Sequence, residues 1–111
     1  MTEAAWDRLT DAIDIKFGLN RHGRLERPLD DAPHLREKVQ FVEFDRSGQA
    51  YRLERSVGPA LIDRKAIGGN RIGAAVHFQN TYDPTEEQAR VVLLVQEAGD
   101  WIPAELDQLG L

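Results

Sequence analysis

Apolar residues near the start of the chain recur at helical spacing. Trp6, Leu9, Ile13 and Phe17 follow one another by three or four positions, which places them on one face and turns Asp7, Asp11 and Asp14 towards water. Thr2 is positioned to cap this helix, Glu3 favours its first turn, and Gly18 supplies a stop. The pattern predicts a helix over residues 1–18. Its apolar stripe must pack on another element, because a helix this short is marginal alone.

Residues 19–37 break the periodicity. Gly23, Pro28 and Pro33 punctuate the segment, and Asp30-Asp31 is placed to open a short helical turn. Leu19, Leu25, Leu29 and Leu35 are apolar anchors that a floppy linker would not need, so the segment reads as an ordered arm. From Lys38 the period falls to two. Val39 to Phe44, then Asp45-Arg46-Ser47-Gly48, then Ala50 to Arg55 predict a hairpin with glycine in the turn. Tyr51, Leu53 and Val57 share one face of the second strand, with Arg52 and Glu54 on the other. In the first strand Val39 and Phe41 face one way and Val42 and Phe44 the other. Either a bulge switches sides or both faces are covered.

Gly58-Pro59 interrupts the pattern, and Ala60 to Ile67 is extended again. Gly68-Gly69-Asn70 is a turn signal, and Ile72 to Tyr82 makes a fourth strand with Ala74, Val76 and Phe78 on one face. Residues 84–98 admit two readings. Asp83, Pro84 and Glu86 resemble a helix start, whereas Val91 to Val95 is a short β-branched run followed by an Ala98-Gly99-Asp100 turn and Trp101-Ile102. The strand with a hairpin return is favoured. Pro103 then begins a short helical end over 103–111, with Leu106 and Leu109 facing inward. The expected fold is a single α+β domain spanning 1–111. It comprises the helix, the arm, an antiparallel meander of four to six strands over 38–102, and the helical end. Both faces of 91–95 are apolar, so the arm, the C-terminal segment or another copy of the chain must cover the second face.

Composition adjusts this picture only slightly. With 111 residues there is room for one core, and no apolar run reaches the ~20 residues of a membrane span. The acidic, amphipathic start has no secretory-signal pattern, and cysteine is absent, so a cytoplasmic address is expected. The net charge of −5 argues against non-specific nucleic-acid binding. It is unevenly spread: residues 1–14 carry −3, residues 15–71 carry +4 and residues 72–111 carry −6. This segregation suits internal charge pairing or a polar self-association surface.

No constellation in the sequence outweighs its structural explanation, so no catalytic residue, metal ligand or cofactor is assigned. Ser47 and Ser56 lack the surroundings of a nucleophile, and cysteine is missing. His22, His34, Asp30 and Asp31 have weak metal-ligand spacing. His77, mid-strand, is a candidate ligand-lining residue; Asp63 would supply a partner carboxylate for acid–base work if the two strands pair in suitable register, but a half-buried histidine bonded to a neighbour is the commoner arrangement. Arg64, Lys65, Asn70 and Arg71, around Gly68-Gly69, form a candidate anion-binding loop without a phosphate-loop pattern. Arg21, His22, Arg24 and Arg27 make a second basic cluster, with acids close by. Trp6 and Trp101 are read as core, Trp101 closing the far end of the sheet; an exposed tryptophan would instead be an interface anchor.

The stretch Val91 to Ile102 resembles the closing hairpin of curved-sheet domains such as the cystatin-like and NTF2-like folds, in which a helix rests against the sheet. The resemblance implies architecture and no site residues. The function expected is a small non-enzymatic protein-interaction or regulatory module, with a homodimer as the form self-association would take. The alternative is a small-ligand or anion-binding domain using the Arg64–Arg71 loop and a helix–sheet cavity. Single-stranded nucleic-acid binding through Tyr51 or Phe78 stacking ranks third, because the chain is acidic.

Overall fold

The computed structural model describes the backbone of residues 1–68 and 76–110, and the side chains of 1–64 and 80–110. Helix α1 (Glu3–Phe17) is followed by strands β1 (Arg21–Leu29), β2 (Ala32–Arg46), β3 (Gln49–Gly68), β4 (Val76–Glu97) and β5 (Asp100–Ala104), then a 3-10 turn (Leu106–Leu109). The strands form one antiparallel sheet in the order β1-β2-β3-β4-β5. This is the α+β meander with an N-terminal helix that the sequence predicts.

Local chemistry explains the element ends. The Thr2 hydroxyl accepts from the Ala5 N–H, and the Gly18 N–H donates to the Asp14 carbonyl at φ 77°. Ser47-Gly48 and Ala98-Gly99 all have positive φ, as the tight two-residue hairpin turn requires, and they join β2 to β3 and β4 to β5. One sheet face packs against α1. Val42, Phe44, Tyr51, Leu53, Leu93 and Val95 meet Trp6 and Ile13 from the helix and Leu109 from the 3-10 turn. Phe17, Phe44 and Tyr51 stack in series with ring centres 5.5 and 5.6 Å apart.

Several expectations are corrected. The ordered arm of 19–37 is sheet: β1 pairs with β2 from Arg21↔Glu43 to Pro28↔Arg36, and Asp30-Asp31 turns the hairpin without a helical turn. Its residues are mostly exposed, so the strand lacks the apolar alternation that would reveal it. Residues 84–97 are strand, as favoured from the sequence, with Ala98-Gly99 as the turn, but they continue the same β4 that begins at Val76 and do not form a separate strand. In β2 both faces are used: Val39 and Phe41 are buried on one and Val42 and Phe44 on the other, with unbroken pairing to β3 from Lys38↔Val57 to Arg46↔Gln49. Trp101 is 36% exposed at the β5 edge, and Leu106 is exposed where Leu109 is buried. Gly68 ends β3, while Gly69-Asn70 of the predicted turn and the start of the predicted Ile72 strand lie outside the described residues.

The sheet forks. β2 leaves β3 beyond Lys38↔Val57, while β3 and β4 continue together to Gly68↔Val76 as a two-stranded ribbon. Pro59 marks the fork, having no N–H to offer a ladder. There the β3–β4 register steps from Pro59↔Glu87 to Ala60↔Asp83, leaving Pro84, Thr85 and Glu86 outside the pairing. Asp83 stabilises the excursion by accepting from the Thr85 N–H at 2.9 Å and its hydroxyl at 2.7 Å. A second irregularity leaves Ile62 unpaired between Leu61↔Tyr82 and Asp63↔Thr81. Such bulges bend a strand and redirect the residues beyond them. Here they bring the ribbon against the β1–β2 turn, where Asp31 accepts hydrogen bonds from Tyr82 and Asn80.

Candidate functional site

Three regions gather chemistry. The first is the sheet face away from α1. Period-two alternation sends Arg21 and Arg27 of β1, Glu37, Phe41 and Glu43 of β2, and Arg52 and Glu54 of β3 to this side. Arg27 reaches Glu37 at 2.6 Å and Glu54 at 3.1 Å; Arg52 reaches Glu54 and Glu43, each at 2.7 Å. The Arg52 guanidinium lies 3.9 Å from the centre of the Phe41 ring, and Gly23 leaves room for that ring, which a Cβ there would approach to 3.2 Å. Glu54 is only 4% exposed. Burial alone would push its carboxyl up, but hydrogen bonds from Arg52 and Arg27 outweigh that and hold it below the usual range. Burial likewise acts to lower the Arg27 guanidinium, and its bonds to Glu37 and Glu54 raise it instead. The charges are therefore locked to one another.

Beside this lattice lies an open cleft of about 450 Å³, bounded by Arg27, Leu29, Tyr82, Arg90, Val92 and Leu94. Asp31 and Tyr82 close one rim. Hydrogen bonds from Tyr82 and then Asn80 hold the Asp31 carboxyl below its ordinary value, while burial and the bond to Asp31 push the Tyr82 hydroxyl up. The Asn80 Oδ1 is buried with no hydrogen-bond partner among the described residues.

The second region is the helix–sheet side. A cavity of about 520 Å³ opens near the start of α1, with Glu3, Arg24, Lys38, Arg55, Val57 and Glu87 around it. Its cations and carboxylates are mixed, and Arg55 already donates to the Met1 carbonyl and to Gln40. The third is apolar. Leu61 and Ile62 stand 40% and 60% exposed on the ribbon; at the opposite end of β4, Trp101, Ile102 and Leu106 are exposed around the edge strand β5.

The residues singled out from the sequence are scattered among these regions. Arg64 is exposed on the ribbon and does not line the helix–sheet cavity. The side chains of Lys65, Asn70, Arg71 and His77 lie outside the described residues. The backbone register sets His77 opposite Ile67 and Asp63 opposite Thr81, so the expected His77–Asp63 pair is four positions apart along the ladder, about 13 Å. His22 and His34 are exposed on β1 and β2, and Asp31 is engaged by Tyr82 and Asn80. Among the described residues, no three His, Asp or Glu side chains come together as a metal site. No described helix is long and apolar enough to cross a membrane.

Sequence reasoning missed the Arg–Glu lattice. Arg52 and Glu54 were visible as the polar face of a strand, but their partners Arg27 and Glu37 fell in the segment read as an arm. Compared with models of protein families, with curated proteins and with solved structures, the chain matches none.

Proposed function

We propose that this protein is a non-enzymatic protein-interaction module that associates with itself. The observation carrying this reading is the ribbon. Two strands alone are at best marginally stable in water. Beyond the fork this pair has no third strand beside it among the described residues, and it exposes Leu61 and Ile62. Covering such a surface gives association its driving force. The ionisable groups on the helix-free face favour a structural role, since Glu37, Glu43 and Glu54 each already accept from an arginine. Size-exclusion chromatography with light scattering at micromolar concentration tests the proposal. The expected mass exceeds the 12.5 kDa of one chain and rises with concentration; a concentration-independent monomer sinks the reading.

A second reading, small-ligand binding, is favoured by the cleft on the helix-free face. Its volume lies in the range of known ligand sites, and it sets Leu29, Val92 and Leu94 against Arg27, Arg90 and the Tyr82 hydroxyl. A library of small amphipathic acids that leaves both Tm and the NMR signals of Val92 and Leu94 unmoved removes it.

A further inference from the structure

The β1–β2 turn borders the cleft on the helix-free face. Pro28, Leu29, Asp30 and Asp31 form part of its wall, and Val92 and Leu94 of β4 line it further on. The turn is held at its base and at its tip. At the base Arg27 bonds Glu37 at 2.6 Å and Glu54 at 3.1 Å, which ties β1 to β2 and β3. At the tip the Asp31 carboxylate accepts from the Tyr82 hydroxyl at 2.8 Å and from the Asn80 amide. The charge of Arg90 adds an attraction for the same carboxylate.

Between base and tip the ladder is broken. Pairing jumps from Pro28↔Arg36 to Leu29↔Ala32, which leaves Pro33, His34 and Leu35 outside it. Pro28 has no N–H to offer. By this point β2 has also left β3, since their pairing ends at Lys38↔Val57. The tip therefore hangs from a discontinuity in its own hairpin, with no third strand alongside it among the described residues. Elements with few neighbours and interrupted hydrogen bonding are the first to open locally, and hinges form from a few residues at the end of an element. Leu29 and Ala32 are buried, so the fastened position also keeps the apolar residues of the tip from water.

We infer that this turn is a releasable strap with Asp31 as its latch. Fastened to Tyr82 and Asn80, it closes one rim of the cleft. Released, it swings about Pro28 and residues 33–35 and gives the cleft a second mouth. What the opening admits rests on the small-ligand reading above: a cleft open at both ends takes a longer apolar body than one closed at a rim. The motion itself needs no ligand, because base, hinge and latch all belong to the hairpin and its contacts.

The chain has no cysteine, so spin labels can be directed to chosen positions. His34→Cys puts one label on the strap and Gln96→Cys puts the other on the body of β4; both native side chains are exposed. Pulsed electron spin resonance reads their separation in the full chain, diluted into unlabelled protein so that only distances within one chain count. With the latch intact a single narrow distance is expected. Adding Asp31→Ala should produce a second, displaced population, enriched about three- to tenfold, as loss of a net hydrogen bond implies. Amide exchange at Phe44 and Leu53 should stay as slow as in the wild type, which confines the change to the strap. An unchanged distance in Asp31→Ala overturns the inference, and so does a wild-type distribution already as broad as that of the variant. Displacement accompanied by faster exchange at Phe44 and Leu53 is a loosening of the whole sheet and overturns it as well. No ligand takes part, so these results leave the small-ligand reading standing, and a ligand library that binds nothing leaves the strap standing.

Discussion

Replacing Glu54 with alanine is the sharpest test of what holds the helix-free face together. Its carboxylate is the shared acceptor for Arg52 at 2.7 Å and Arg27 at 3.1 Å. The Glu54 and Arg52 side chains are 5% and 13% exposed, whereas Arg27 is 40% exposed and re-solvates readily. Breaking a buried pair by removing one partner costs about 3–5 kcal/mol, because the other charge is left without compensation. With one of the two arginines open to water, the low end applies, about 3 kcal/mol. At a urea dependence of about 1.5 kcal/mol per molar, the unfolding midpoint should fall by about 2 M. Urea titration by tryptophan fluorescence, at a protein concentration where association is absent, measures it. The double variant Glu54→Ala with Arg52→Ala should cost less than the sum of the single changes, with a coupling of about 1.5 kcal/mol. Joint replacement by Glu54→Leu and Arg52→Met should come within about 1 kcal/mol of the wild type, since an apolar pair needs no desolvation of charge. A midpoint shift under about 0.5 M for Glu54→Ala, or strict additivity, would refute the claim that these charges form one interdependent unit.

Other perturbations have equally definite outcomes. Since the Glu54 carboxyl is held below its ordinary value of about 4.3, its stabilisation is complete above that pH and is lost as pH falls through the lower folded value; Glu54→Gln should flatten the acid limb of a stability–pH curve, and an unchanged slope refutes the assignment. Gly58→Ala places a Cβ 2.9 Å from the Glu37 Cβ and 3.4 Å from its Cα, so it should destabilise by about 1–3 kcal/mol in urea titration; a neutral result means that β2 and β3 stand further apart at the fork. In Tyr82→Phe, Asp31 loses its strongest hydrogen-bond donor, and its carboxyl should titrate closer to the ordinary aspartate value by carbon-detected NMR, whereas an unmoved titration means the ribbon does not rest on the β1–β2 turn in solution. Thr2→Ala removes the helix cap and should cost about 1 kcal/mol in the unfolding free energy, no loss being inconsistent with the Thr2–Ala5 bond.

The parts of the fold that declared themselves in the sequence are those specified by near neighbours. Trp6, Ile13 and Phe17 are bound to one helical face by spacing, and Ser47-Gly48 fixes the β2–β3 hairpin through its own backbone angles. Strand β1 was hidden because its identity is set by β2, not by its own letters. Only Leu29 among its residues is buried, and Gly23, Pro28 and the charges between them look like a loop until Phe41, Glu37 and Glu54 are brought opposite. The Arg–Glu lattice was hidden for the same reason, since Arg27 and Glu54 are far apart in sequence and meet only across three strands. Trp101 misled in the other direction. Size and hydrophobicity favour burial, but an edge position on a five-residue strand overrides that preference.

The three residues that β4 carries outside its ladder, with Pro59 facing them across the strand pair, make the fork a firebreak for pairing information. Alternation on the body side is dictated by the core against α1, and a one-residue slip there would turn Leu53 and Leu93 out of it. Past Pro84–Glu86 the count starts afresh, so a slip of pairing within the described ribbon leaves the alignment of the body untouched. Mutation can therefore rewrite the pairing of the ribbon while the five-stranded platform keeps its frame.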